Sequence, residues 1–406
     1  MRGLKTYLVL SLLCSAVAYT QDDLESYLSS NKKVQFSYDY EKNKADSSKL
    51  RDSWISPIRM QYVYNKSKPY DVVQVTKNSS ITIDQPIFSS GGIYYGIKYA
   101  QASLAYANYS VEVAKRKLIK DTISTLMQIK KIDLNIQKQE LLIKNAEINL
   151  ALKKDAYLGG QLDSSFLDRA IIDKNSFIEM LYDIETSKKR LISQFKTLSD
   201  IDYKTAFIPH FELLAKGRFL EKNLVLKMAK SKIKKDDYNQ NITIAKYLPR
   251  VNFTAGYNWS KSENQQFGGD NGISFSQNIN YYNYGFRVSI PLDINTFRDI
   301  QSSKVNYLKS KVDIKEKQKT LESLYEQVSQ NIVNLDKKKM LSIENKKLYK
   351  KLLDDTKELY EAGYKTKYDI EILNNSLKIQ DINVKVLDMD KQLDLLNLYE
   401  LYKESE

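Results

Sequence analysis

The chain is poor in residues that break regular structure. Of its 406 residues, 13 are glycine and 6 are proline, so loops take a small share and long uninterrupted elements are favoured. There is one histidine, His210, and one cysteine, Cys14. That scarcity excludes Cys/His metal clusters and disulfide frameworks. No phosphate-binding glycine loop and no nucleophile motif occurs either. No enzyme activity, metal or other cofactor is therefore expected, and His210 reads as a surface or packing residue. Beyond the N-terminus no stretch reaches the ~20 apolar residues that a membrane-spanning helix requires. Any membrane crossing must be made by β-strands.

The N-terminus carries a targeting pattern. Arg2 and Lys5 precede a short apolar core, Tyr7 to Val17, and Ala16-Val17-Ala18 is a small-x-small cleavage site. This reads as a secretory signal peptide over residues 1–18, too short for a stop-transfer helix. Leu13 stands before Cys14, where a lipoprotein signal needs a small residue, so lipidation is not expected and the mature chain has no cysteine. The formal net charge is +13. Its lysines are scattered among acidic residues along helical segments, which describes a solvated helix surface rather than a nucleic-acid patch.

The chain repeats itself. Tyr157, Gly160 and Leu167 recur as Tyr360, Gly363 and Ile370, each 203 residues on, and Pro86 recurs as Pro291 after 205. A period this long means a duplication rather than a solenoid. The first repeat is placed at 19–200, a connector at 201–218 and the second repeat at 219–402. Each repeat opens with a helical stretch, Asp22–Leu50 or Phe219–Lys246, followed by two strands.

The strands are identified by alternation. Val251, Phe253, Ala255, Tyr257 and Trp259 alternate with Asn252, Thr254, Gly256 and Asn258. Tyr282, Tyr284, Phe286, Val288, Ile290 and Leu292 alternate with Asn283, Gly285, Arg287 and Ser289. In the first repeat Ile58, Met60, Tyr62 and Tyr64 alternate with Arg59, Gln61 and Val63, and Ile81 and Ile83 with Thr82 and Asp84. Period two of this kind gives a strand one apolar and one polar face. The expected strands are 54–66, 79–88, 250–260 and 281–292. Ser260–Asn280, rich in Asn, Gln, Ser and Gly and containing Gly268-Gly269-Asp270-Asn271-Gly272, is expected to be an exposed, mobile loop.

A proline-free run follows each strand pair: helices are expected over 92–157 and 297–361, each roughly 95–100 Å long at helical rise. Heptad spacing runs through both, as Met127, Leu134, Leu141 and Ile148, and as Ile314, Leu321, Val328 and Leu335. These are coiled-coil seams. After a glycine turn, shorter helices return over 164–199, with Phe177, Ile184, Leu191 and Leu198, and over 367–402, with Ile372, Ile379, Val386 and Leu393. Helix 219–246 is expected to stack on the end of the first return helix and complete its climb to the strands.

Four strands of about ten residues suit a tilted membrane crossing, but four cannot close a barrel, and open strand edges are not tolerated in lipid. Several chains must supply the barrel. Phe253, Tyr257, Trp259, Phe286 and Val288 would then face lipid, and the Asn, Thr, Ser and Arg residues a watery lumen. A soluble β-sandwich would bury one face equally well, but the attached helices are longer than any domain it could cap.

Several short motifs in this order resemble the outer-membrane efflux protein family, the TolC type. They are Tyr247-Leu248-Pro249-Arg250-Val251 leading into a strand, Val288-Ser289-Ile290-Pro291-Leu292 entering a long helix, and Tyr360-Glu361-Ala362-Gly363 at a helix tip followed by Asp369. The resemblance covers essentially the whole chain after the signal peptide. It implies a fold that is mainly α with a small β part: a long coiled-coil helical barrel through the periplasm, continuous with a transmembrane β-barrel built from four strands per protomer. It also implies a homotrimer in the bacterial outer membrane, docked onto a periplasmic adaptor protein and an inner-membrane transporter. The function so implied is the passive exit duct of a tripartite efflux pump or type I secretion system.

The resemblance further implies that the periplasmic helix tips carry the gate, with the second repeat innermost. Tyr360 and Gly363 match the family's tip motif, Lys365 stands at its basic constriction position, and Asp369 at the acidic position that forms an anionic ring. The family's second acid falls on Ile372 here, which makes the neighbouring Glu371 a candidate replacement. In the first repeat Phe166 is equivalent to Asp369, with Asp163 and Asp168 nearby. Gly160 and Gln161, with Gly363 and Tyr364, mark the tips expected to meet the adaptor. Two other protein classes share part of the pattern. A periplasmic adaptor would have one hairpin set between halves of a glycine-rich domain, and a structural coiled-coil envelope protein would not need paired strands in each half. The cargo is not written in these residues.

Overall fold

The computed structural model describes residues 24–68, 73–265 and 275–403. The signal-peptide segment with Cys14, and the run Gly268 to Gly272, lie outside the described residues. In chain order the elements are α1 (Ser30–Arg51), β1 (Arg59–Ser67), β2 (Val73–Phe88), α2 (Gly92–Leu158), α3 (Ser164–Leu198), α4 (Lys216–Glu221), α5 (Leu224–Lys246), β3 (Arg250–Gln265), β4 (Phe275–Ser289), α6 (Thr296–Glu361) and α7 (Lys367–Tyr399).

The long helices begin where the backbone is forced to turn. Before α2 the chain leaves β2 through Ser90 and Gly91, both with positive φ (45° and 87°), a conformation in which glycine carries no Cβ penalty. Before α6, Asp293 makes the turn instead. The Asn295 N–H donates to its carboxylate at 2.8 Å and the Thr296 N–H to its carbonyl at 3.1 Å. Asp299 then adds an acid to the first turn, which the helix dipole favours. No proline interrupts either helix, and they run for 67 and 66 residues. The expected helix 219–246 is two helices. Phe219 lies in the short α4, and the buried Asn223 starts α5 by accepting from the Val225 N–H at 2.9 Å. An asparagine at that position satisfies an otherwise orphaned helix donor, which makes it a start signal.

Helix contacts divide the chain into two compact units. Of the described residues, one holds 24–34, 116–215 and 325–403, the other 35–115 and 216–324. In the first, Ile123, Leu126, Met127 and Ile129 of α2 are completely buried, and the heptad positions of α3, α6 and α7 in this unit are buried or half-buried. Polar links give the lateral order α3, α2, α7, α6. Lys188 of α3 pairs with Asp133 of α2 at 2.7 Å, and Asn375 of α7 donates to Asn145 of α2 at 2.9 Å. Asp381, Asp388 and Lys391 of α7 pair with Lys346, Lys339 and Asp336 of α6 at 2.6–2.8 Å. These pairs are partly solvated and fix register more than they add stability. The connector is strapped to α7 and α6. The Phe211 N–H donates to Gln392 at 2.7 Å and the Tyr325 hydroxyl to the Leu214 carbonyl at 2.8 Å. His210 is exposed between buried Pro209 and Phe211.

In the second unit the order is α1, α2, α5, α6. The Tyr40 hydroxyl donates to Glu112 at 2.8 Å, Lys235 lies 5.0 Å over the Tyr106 ring, and Lys232 reaches Asp313 at 3.4 Å. This unit also contains one antiparallel sheet in the order β1-β2-β3-β4. Away from the helices β2, β3 and β4 outrun the alternating pattern, whereas at the helix side β1 begins at Arg59 rather than 54 and β4 ends at Ser289 rather than 292, short of Pro291, which has no N–H to give a ladder. Most of the segment expected to be a loop, 260–280, is ladder: β3 continues to Gln265 and β4 begins at Phe275, with Ser260 opposite Ile279 and Glu263 opposite Ser276. Backbone pairing needs no apolar side chains, so polar strand ends leave no alternation to read.

Candidate functional site

Register places all five expected lipid-facing residues on one face of the sheet. Opposite residues in an antiparallel pair share a face, and here Val251 pairs with Val288, Phe253 with Phe286, Ala255 with Tyr284 and Tyr257 with Tyr282. Phe253 and Phe286 have ring centroids 5.7 Å apart. Across β2 and β1 the same face continues through Ile83 and Ile81 to Met60, Tyr62 and Tyr64. Its apolar side chains stand out from the protein: Met60 is 78% exposed, Tyr282 76% and Phe286 71%. Trp259 closes the apolar band, because the next residues on this face are Lys261, Lys77 and Glu263.

The opposite face is mainly polar, with Val63, Tyr281 and Ile279 also on it, and carries a hydrogen-bond network. Asp84 accepts from Asn252 at 2.6 Å and from Arg287 at 3.1 Å, and Ser260 donates to Asn78 at 2.8 Å. Asp84 was identified in the sequence only as an alternating polar residue. The signal that marked it is that it is the one carboxylate of its alternating run. Among the described residues both outer strands, β1 and β4, have one edge without a strand partner.

The two helix turns are built alike. At the end of α2 the Gly160 N–H donates to the Tyr157 carbonyl at 3.0 Å and the Gln161 N–H to the Ala156 carbonyl at 2.9 Å. At the end of α6, Gly363 donates to Tyr360 at 3.0 Å and Tyr364 to Leu359 at 2.8 Å. Both glycines have positive φ, 71° and 81°. This is the Schellman arrangement, which satisfies the last helix carbonyls and favours glycine at the left-handed position.

The helices that follow are capped at equivalent positions by different chemistry. Asp163 caps α3, and its carboxylate accepts from the Ser165 N–H at 2.7 Å and from the Ser165 hydroxyl. Thr366 caps α7 in a capping box. The Asp369 N–H donates to the Thr366 hydroxyl oxygen at 3.3 Å, and the Asp369 carboxylate accepts from the Thr366 N–H at 2.9 Å. Each carboxyl is held below its usual range, Asp163 by the Ser165 hydroxyl and backbone N–H, Asp369 by the backbone N–H and hydroxyl of Thr366 and more weakly by Lys365. Asp168 and Glu371 are exposed, each five residues into its helix, α3 or α7. Tyr364 projects at 80% exposure. Among the described residues of a single copy, Tyr360 and Lys365 make no side-chain hydrogen bond and no ion pair. The capping role of Asp369 was missed from sequence, although Thr366 three residues before it is the signature of a capping box.

No helix of the described residues is long and apolar enough to cross a membrane. The fold is mainly α-helical with one small antiparallel sheet, and the solved structures it resembles include outer-membrane channels. The Campylobacter jejuni CmeC outer membrane channel matches with a TM-score of 0.70 at 14% identity, over 95% of this chain and 86% of that one. The Vibrio cholerae outer membrane protein VceC matches with a TM-score of 0.69 at 14% identity, over 94% and 95%. The open state of the Neisseria gonorrhoeae MtrE outer membrane channel gives 0.60 at 11% identity, over 93% and 87%. By sequence, residues 217–400 match the family model described as outer membrane efflux protein. The likeness to the outer-membrane efflux family read from the motifs is thereby shown. No curated protein matches the chain by sequence.

Proposed function

We propose that the chain is the outer-membrane exit duct of an efflux or secretion machine, a homotrimer whose three sheets close into one twelve-stranded barrel. The observation that carries this reading is the sheet: a mostly apolar band on one face, a mainly polar opposite face, and two outer edges that a single copy leaves open. Open edges are not tolerated in lipid, and β4 of one copy against β1 of the next continues the antiparallel order. From Val251 to Trp259 the apolar band covers roughly 26 Å of strand at 3.3 Å per residue, or about 20 Å of height once tilted, in keeping with the ~25 Å band of outer-membrane barrels.

In this reading the chain is a passive conduit, not an enzyme, and its long helices lie in the periplasm. It consists of two repeats, 19–200 and 219–402, joined by the 201–218 connector behind a cleaved leader. The tips around Gly160, Gln161, Gly363 and Tyr364 meet a periplasmic adaptor, which couples the duct to an inner-membrane transporter. Tyr360, Lys365, Asp369 and Glu371, with Asp163 and Asp168, surround the gate. That Tyr360 and Lys365 lack partners within one copy supports partners in another. Whether the machine is a tripartite pump or a type I secretion system is decided by its transporter.

Single cysteines test the barrel. In membranes, a water-soluble thiol reagent entering the pore should label Cys at Asn252, Thr254, Arg287 or Ser289, and leave Cys at Phe253, Tyr257, Phe286 or Val288 unlabelled. Equal labelling of the two sets rejects the barrel.

A further inference from the structure

Beneath the polar face of the sheet lies a cavity of about 650 Å³, within the usual range for a small-molecule site. Its walls come from the α1–β1 loop, the first turns of α2, the helix-proximal ends of β2 and β3, and α5. Trp54, Ile93, Ile97 and Ile242 are among its apolar lining. The charges in its lining do not balance. Arg51, Arg59 and Arg250 line it against a single carboxylate, Asp84. Arg51 is paired with Asp52 through two contacts of 2.8 Å. Asp84 is taken by Arg287 and Asn252. Arg59 then has no ion-pair partner among the described residues, and the Nε of Arg250 is buried without a hydrogen-bond partner. A buried, unanswered guanidinium donor is costly unless something accepts from it.

The wall of α2 is also cut back. Gly92 and Gly96 stand one turn apart on the cavity side, and a Cβ built on Gly96 meets nothing within 4 Å. Glycine inside a helix is unfavourable by about 1 kcal/mol relative to alanine, and nothing in the local packing excludes a larger residue there. What its absence of a side chain does is keep the cavity open.

We propose that this cavity binds a small organic anion, its carboxylate, sulfonate or phosphate received by Arg250 and Arg59 and its apolar body lying between Trp54 and the isoleucines of α2. Planar guanidinium forks suit such oxyanions, and charge-assisted hydrogen bonds are the stronger kind. The site belongs to one copy. Its meaning as a contact for anionic cargo, on the lumenal face of the barrel, rests on the channel reading above.

The chain has two tryptophans, and the other, Trp259, is in β3, so Trp259→Phe leaves Trp54 as the only tryptophan reporter. The full-length protein in this background is titrated with phenyl phosphate, with benzyl alcohol and benzyltrimethylammonium as neutral and cationic counterparts. Phenyl phosphate should shift the Trp54 emission saturably, and the cation should not. Arg250→Gln should weaken binding by about tenfold or more, Arg250→Lys by less, and Gly96→Leu should abolish it while thermal stability is kept or raised. Far-UV circular dichroism separates a lost site from a lost fold, and Arg59→Gln serves as the second variant if Arg250→Gln unfolds. A cation that binds as well as the anion, no saturable shift, or full binding by Gly96→Leu would overturn the proposal. A parallel conductance measurement in planar bilayers separates the two ideas. Saturable binding without a pore leaves the site standing and removes the channel reading, while a pore without binding does the reverse.

Discussion

The turn after α2 and the turn after α6 share a backbone and differ in their side chains. Both end a helix of more than 60 residues on a left-handed glycine, with the same two hydrogen bonds at nearly the same lengths. Both start the next helix three residues later from an oxygen-bearing cap. There the likeness stops. Where α7 has Asp369, closing a reciprocal capping box, α3 has Phe166, exposed beneath Lys153, whose ammonium is 5.8 Å from the ring. The backbone hydrogen bonds are enough to hold the turn, so the residue three places into the helix is free to be acidic in one repeat and aromatic in the other. A difference at a position the fold leaves free is where a difference in role belongs.

The largest expected effect removes what the two turns share. Val at Gly160 or Gly363 must adopt a positive φ, which costs roughly 1–2 kcal/mol for a residue with a Cβ and far more in geometry, because the following helix is re-aimed. If the proposed duct is right, each substitution should abolish efflux in a complemented strain while leaving the proposed trimer and its membrane insertion intact. Full efflux in both variants would separate the tips from docking.

The next test isolates the difference. Asp369→Ala removes a charge and half of a capping box together, so it cannot tell them apart. Asp369→Asn keeps an acceptor for the Thr366 N–H but removes the charge, whereas Thr366→Ala keeps the charge and removes the cap. If three Asp369 carboxylates converge at the gate, Asp369→Asn should weaken cation selectivity and block by multivalent cations in planar bilayers several-fold. Thr366→Ala should leave selectivity alone and cost about 1 kcal/mol of stability. The reverse outcome would make Asp369 a cap only, with Glu371 and Asp168 next in line for the ring. At the equivalent position of the first repeat, Phe166→Ala should not change selectivity.

A smaller effect is expected from the unpartnered groups beside the glycine. Lys365→Ala or Tyr360→Phe should raise the resting conductance, and Lys365→Arg should not. Each exposed contact is worth ~0–1 kcal/mol, and the proposed trimer would repeat it three times around the axis. Unchanged resting conductance in both variants would place the closed-state contacts elsewhere.

The smallest effect is with pH. Asp163 and Asp369 are both held below the ordinary carboxylate range by the donors they cap. A lowered folded-state value stabilises at pH above the unfolded value, about 4, and that contribution fades as pH falls through the folded value. Corrected for intrinsic rate, amide exchange at 163–166 and 366–369 should therefore rise relative to mid-helix amides only below about pH 4. A rise already at pH 6 would mean that some other group governs fraying at the tips.

Much of this was written in periodicity. Alternation named Phe253, Tyr257, Phe286 and Val288 as one face, because side chains of a strand must alternate and one face here is mostly apolar from Val251 to Trp259. Heptads marked the helix seams, and repeated glycines marked the tips, because only a residue without a Cβ takes a left-handed turn at no cost. Those are local properties, decided residue by residue along the chain. What only the tertiary structure decided is what lies far apart in sequence. It set β2 beside β3, pairing residues 163 to 192 positions apart, giving Asp84 to Arg287 and Asn252, and it surrounded Arg250 with walls from four other segments while leaving its Nε unanswered. Partners of this kind depend on which strand edges and helix faces meet in space, and no spacing within a single segment records that.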